Sequence, residues 1–115
     1  MIAGEAALLS RFAPPVAALA RDTMRLLADI RPDLVGTVRT GWGSINYRHP
    51  RAGFVCGIFP MPDRVSLLFE QGRLLSSPLL EGDGRQVRFI RLVPGAPLPA
   101  DEIAILLAEA IALRS

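Results

Sequence analysis

The hydrophobic pattern of the chain runs at a helical period, then at a period of two, then at a helical period again. From Val16 onward the apolar residues Leu19, Ala20, Leu26, Leu27 and Ile30 recur at helical spacing, which predicts an amphipathic helix over residues 14–30. Pro14 and Pro15 fit only the first turn of such a helix, and Pro32 forbids its continuation. A shorter helix is expected ahead of it, within residues 3–11. Asp33 has the chemistry of an N-cap and is read as opening a short helical turn through Val38. "TGWG", with two glycines around Trp42, then breaks that turn.

From Gly43 the period is two. "SINYRH" sets Ile45 and Tyr47 on one face and Asn46 and Arg48 on the other, the mark of a half-buried strand. "AGFVCGIF" is more continuously apolar, as a central strand should be. After the turn at "PMPD", "RVSLLFEQ" alternates Val65, Leu67 and Phe69 with Ser66, Leu68 and Glu70 until Gly72 ends it. "QVRFIRLV" supplies a fourth strand. The short gaps between these runs favour hairpins, hence an antiparallel sheet. The last segment, "PADEIAILLAEAIALR", has Asp101 and Glu102 at its positive N-terminal end and Ile103, Leu106, Leu107, Ala110 and Ile111 on one stripe. The fold class predicted is α+β: an antiparallel sheet of about four strands with N- and C-terminal helices packed on one face.

Composition narrows the function classes. A chain of 115 residues with 50% hydrophobic and 21% charged residues is one domain, residues 1–115, able to bury a single core. The 13 basic residues are all arginine, set against 11 acids for a net charge of +2. They are scattered rather than striped, a pattern closer to coding bias than to a nucleic-acid footprint, so no nucleic-acid partner is expected. The N-terminal segment has Glu5 and no basic stretch before its apolar residues, and so does not read as a signal peptide. The apolar run from Ile103 to Leu113 is too short to span a bilayer and contains Glu109. A soluble cytoplasmic protein without a membrane partner is the expectation.

The segment "LLEGDGRQVRFIRL" (79–92) has the glycines of a phosphate loop but not its context, because a strand rather than a helix follows Gly82, Asp83 and Gly84. It reads as a turn with glycine at positive φ. Parity then puts Arg91 with Val87, Phe89 and Val93 on one face, and Arg88 with Ile90 and Leu92 on the other. The inward-aimed arginine must find a carboxylate, for which Glu70 and Glu81 are nearest in sequence, reach the sheet's edge or sit beside a bulge, unless it binds an anion in a pocket. His49 and Cys56, the only residues of their kinds, cannot by themselves build a zinc site. Among the acids, Glu81 with Asp83 and Asp101 with Glu102 are the only close pairs, and the second suits a helix start. No serine has a nucleophile's context. Trp42 and Tyr47 can form an aromatic wall for a ligand or serve as packing.

The order of these pieces, "GWGSINYRH", "GFVCGIFPMPDRVSLLFEQGRLL", "LLEGDGRQVRFIRL" and a terminal apolar helix, resembles the YdhG-like family of small domains of unknown function over about residues 30–113. A frataxin-like bacterial iron chaperone has been assigned to that family. The resemblance implies a compact α+β fold with an antiparallel sheet and flanking helices. The chain departs from the family in having Arg85 where lysine is frequent and Phe89 where many relatives have histidine. Iron delivery also calls for an acidic surface, which a net charge of +2 does not supply. The leading expectation is therefore a non-enzymatic domain that binds a small molecule or a protein partner near Trp42, Tyr47, Arg88 and Arg91, with no cofactor. The alternative is an iron chaperone using Glu81 and Asp83, and an uncharacterised enzyme comes after it. The apolar character of "GFVCGIF" on both faces also leaves the sheet open to homodimerisation.

Overall fold

The computed structural model describes residues 2–114. Its element order is α1 (Glu5–Leu9), α2 (Pro14–Ile30), β1 (Val35–Arg39), β2 (Ser44–His49), β3 (Gly53–Pro60), β4 (Val65–Phe69), β5 (Leu80–Glu81), β6 (Arg88–Leu92) and α3 (Ala100–Ala112). A single turn of 3-10 helix, Gly72–Leu74, follows β4. The fold is α+β, with an open antiparallel sheet of six strands in the order β1-β2-β3-β4-β6-β5.

Two strands exceed the four expected from sequence. Residues 35–39 are extended and pair with β2, from Val35 opposite Arg48 to Arg39 opposite Ser44, so the helical turn expected from Asp33 to Val38 does not form. Val35, Thr37 and Val38 are β-branched and favour an extended backbone. The glycines of "TGWG", with Gly43 at φ 66, close a hairpin rather than end a helix. Leu80 and Glu81 add the sixth strand by pairing with Ile90 and Phe89. That strand lies just ahead of the turn read at Gly82–Gly84, where the sequence predicts no element, and Gly82, at φ 113, makes the bend that follows it.

Register explains the core. One row of facing side chains, Val38, Ile45, Ile58, Leu67, Ile90 and Leu80, crosses all six strands and is entirely apolar. The neighbouring row on the same face runs Gly36, Tyr47, Cys56, Phe69, Arg88. α2 packs against β3 and β4, and α3 against β3. Leu27 of α2 and Leu107 of α3 are wholly buried in the resulting core, each contributing about 1.5–3 kcal/mol. The pairing of β2 with β3 slips after Tyr47, where Arg48 faces Phe54 and Val55 becomes the extra residue of a bulge. Cys56 is buried within the sheet, and burial pushes its thiol up to about 12, which leaves it a packing residue.

Candidate functional site

Tyr47 is held where a larger neighbour would exclude it. Its row partner on β1 is Gly36, and a Cβ on Gly36 would come within 2.9 Å of the phenol ring and 2.5 Å of the Ile2 side chain. Glycine at this position therefore lets the ring reach past β1 toward the C-terminal half of α2. Tyr47 is 4% exposed. Its hydroxyl is buried and has no hydrogen-bond partner among the described residues, a condition shared only with Nε of Arg64 at the distant β3–β4 turn. Burial raises the ionisation of the phenol well above its ordinary value, and Cys56 and the Glu5 carboxylate push the same way. Tyr47 is thus a neutral hydroxyl with an unused donor, and burying such a group costs about 1–3 kcal/mol.

The phenol forms part of the wall of a cleft of about 590 Å³ between α2, β1 and the chain preceding α1. Met24, Leu27 and Leu34 give it an apolar lining, and Arg21, Arg25, Arg31 and Glu5 give it charge. Arg21, Arg25 and Ala28 follow one another at helical spacing along α2, so a single face of the helix presents both guanidinium groups to the cleft. Three of the four charges are already engaged. Arg25 Nη1 meets Asp22 Oδ1 at 3.1 Å. Glu5 Oε1 accepts the backbone N–H of Ile2 at 3.1 Å. Arg31 donates to both oxygens of Asp33, at 3.0 and 2.6 Å. Arg21 alone makes no ion pair or side-chain hydrogen bond among the described residues.

Arg31 is fixed by a chain of contacts that ends in the sheet. His49 Nδ1 lies 3.1 and 3.2 Å from the backbone nitrogens of Arg51 and Ala52, and accepts from both. The other ring nitrogen, Nε2, therefore carries the hydrogen and donates to Asp33 Oδ2 at 3.0 Å. The two Arg31 bonds hold the Asp33 carboxyl below the usual carboxylate range. The single histidine is thus a structural tie joining the end of α2 to the end of β2.

The residues expected to form a site do not assemble into one. Trp42 is 68% exposed in the loop between β1 and β2 and does not line the cleft. Arg88 shares Tyr47's row and face, but three strand spacings separate them, about 14 Å. It is the inward-aimed arginine, and it reaches the edge: Nη1 donates to the carbonyls of Gly84 and Val87. Gly72 makes room for it, since a Cβ there would collide with the Arg88 backbone. Arg91 lies on the opposite face and pairs with Glu81 at 3.1 Å, one of the two carboxylates expected to serve these arginines. The other, Glu70, is bound by Arg114 at 2.6 Å. Asp83 is exposed in the loop after β5. No group of three or more His, Cys, Asp or Glu able to hold a metal ion forms among the described residues, and Glu81 is already committed to Arg91.

Arg21, Arg25, Glu5 and Gly36 were not legible as site residues. The signal for the arginines lies in α2, where positions 21 and 25 put charge beside the apolar stripe. The signal for Gly36 depends on reading "VGTVR" as a strand, because "TGWG" is then the centre of a hairpin and Gly36 falls opposite Tyr47. No family model matches the chain, and no curated protein or solved structure matches it either, so the site rests on its own geometry.

Proposed function

We propose that this chain is a non-enzymatic, cytoplasmic binding domain of the YdhG-like type, and that a small amphipathic molecule occupies the cleft between α2 and β1. The observation that carries the reading is the Tyr47 hydroxyl, a buried donor without a partner among the described residues, at the wall of a cleft lined by both apolar and charged side chains. Buried polar groups are almost always satisfied, and a ligand acceptor is one way to complete this one. The surrounding groups suit holding a molecule better than transforming it. Tyr47 is neutral, Arg25 and Arg31 are held by carboxylates, and both nitrogens of the only imidazole are occupied.

Tyr47→Phe tests the reading because it separates stability from binding. Removing an unsatisfied hydroxyl should leave the free protein as stable or more stable by about 1 kcal/mol, whereas removing a bonded one would destabilise it. Compounds from a small-molecule library that raise the melting temperature of the wild-type protein should raise that of Tyr47→Phe less. Equal shifts in the two proteins, together with a destabilised variant, would place the ligand elsewhere.

A further inference from the structure

Resting on the cleft as the binding site, we infer that its ligand is a monocarboxylate: an apolar body of short-chain or ring size bearing a single carboxylate that Arg21 receives. The charge inventory carries this. Of the three guanidinium groups at the cleft, those of Arg25 and Arg31 are matched one to one by Asp22 and Asp33, which leaves Arg21 as the one cation without a carboxylate among the described residues. A planar carboxylate fits the guanidinium fork with two parallel hydrogen bonds.

A phosphate monoester carries nearly twice the charge near neutral pH and has three strong acceptor oxygens, so it calls for more than one free cation. It would also face Glu5, whose carboxylate lines the same cleft and is held there by the Ile2 amide. Glu5 thus selects against a second negative charge. The remainder of the ligand meets Met24 and Leu34, which offer no polar group, and a volume of about 590 Å³ is that of a small-molecule pocket. Tyr47 contributes one further hydrogen bond, to a carboxylate oxygen or to an ether, ester or keto oxygen on the apolar body.

Three eight-carbon probes that differ only in their head group decide the matter: octanoate, octanol and octyl phosphate. Each is titrated into the isotopically labelled full chain, with the Gly36 amide resonance as the reporter of the cleft. Octanoate should bind saturably, at least tenfold tighter than octanol and tighter than octyl phosphate. Arg21→Met should remove that tenfold advantage and leave octanol unchanged. Arg21→Lys, which keeps the charge without the fork, should lie between the two and also guards against a folding defect in the methionine variant.

Equal binding of octanoate and octanol, or an octanoate affinity indifferent to Arg21→Met, overturns the carboxylate assignment while leaving the cleft as a binding site. Tighter binding of octyl phosphate overturns the selection for a single charge. If none of the three moves Gly36, the monocarboxylate inference fails. The broader cleft reading fails with it only if library compounds also prove indifferent to Tyr47→Phe.

Discussion

The two ends of the sheet are both rich in arginine and glycine, yet they have opposite electrostatic outcomes. At the β5–β6 end the conspicuous motif, Gly82 to Arg91, is internally satisfied. Arg91 is answered by Glu81, Arg88 by two loop carbonyls, and Gly72 and Gly82 supply the space and the bend. A hollow of about 460 Å³ does open beside this end, but the two charges in its lining, Glu81 and Arg91, are paired with each other. At the α2–β1 end no motif stands out, yet among the described residues the Arg21 guanidinium has no ion-pair partner and the buried Tyr47 hydroxyl no hydrogen-bond partner. A binding site is better recognised by what folding leaves unsatisfied than by residues that are merely unusual in sequence, because an unmade hydrogen bond is available to a ligand and a made one is not.

The sharpest way to test this contrast is to fill a glycine at each end. Gly72→Ala drives a methyl group into the Arg88 backbone, which cannot move without disturbing β6, so a loss of about 3 kcal/mol or more is expected in chemical denaturation. The nearest atoms that Gly36→Ala meets belong to the Ile2 and Tyr47 side chains, which can yield. It should cost about 1 kcal/mol and weaken ligand binding more than stability. Comparable stability losses at the two sites would erase the distinction between a packed end and an open one.

A smaller loss is expected at the tie that supports the cleft. His49→Ala leaves two backbone amides without their acceptor and takes one donor from Asp33. Denaturation should register about 2 kcal/mol, and amide exchange should quicken at Arg51 and Ala52. Unchanged exchange there would mean that the tie is dispensable.

At the β6 end, the arginines that sequence made conspicuous should matter little. Arg91→Met breaks an exposed pair and should change stability by less than about 1 kcal/mol. Arg88→Met should cost about 1 kcal/mol. Neither should alter ligand-induced melting shifts, and a lost shift in either would move the site away from α2.

The smallest effect is a pH dependence. The folded-state pKa of Asp33 is depressed, so its stabilising contribution is complete above the ordinary aspartate range and fades as pH falls through the lower folded value. Asp33→Asn should therefore be slightly less stable than wild type at neutral pH, with the two curves converging below about pH 4. A gap that persists at acid pH would trace the effect to packing instead of charge. The carboxylate is partly exposed, so the difference will be small.

Much of the architecture could be read from local pattern. α2 begins at Pro14 and ends at Ile30 because two prolines open it and a third stops it, β2, β4 and β6 follow from period-two alternation, and β3 from its continuous apolar run. β1 is hidden in the sequence because Asp33 offers a cap that the fold uses differently, as the bridge between Arg31 and His49. β5 is hidden because two residues carry no period. Parity puts Arg88 and Arg91 on opposite faces, but which of them turns inward is decided by the register, and the partners of Arg88 by loop carbonyls that leave no trace in a side-chain pattern.

By itself, then, the sequence determined the class of fold, the limits of its main helices and the faces of its central strands, all properties of residues near one another along the chain. The tertiary structure decided which polar groups are satisfied. Whether Arg91 finds Glu81, whether Arg21 finds a carboxylate, and whether the Tyr47 hydroxyl finds an acceptor depend on register and packing between segments distant in sequence. Satisfaction is a property of pairs, and only the folded chain brings the pairs together.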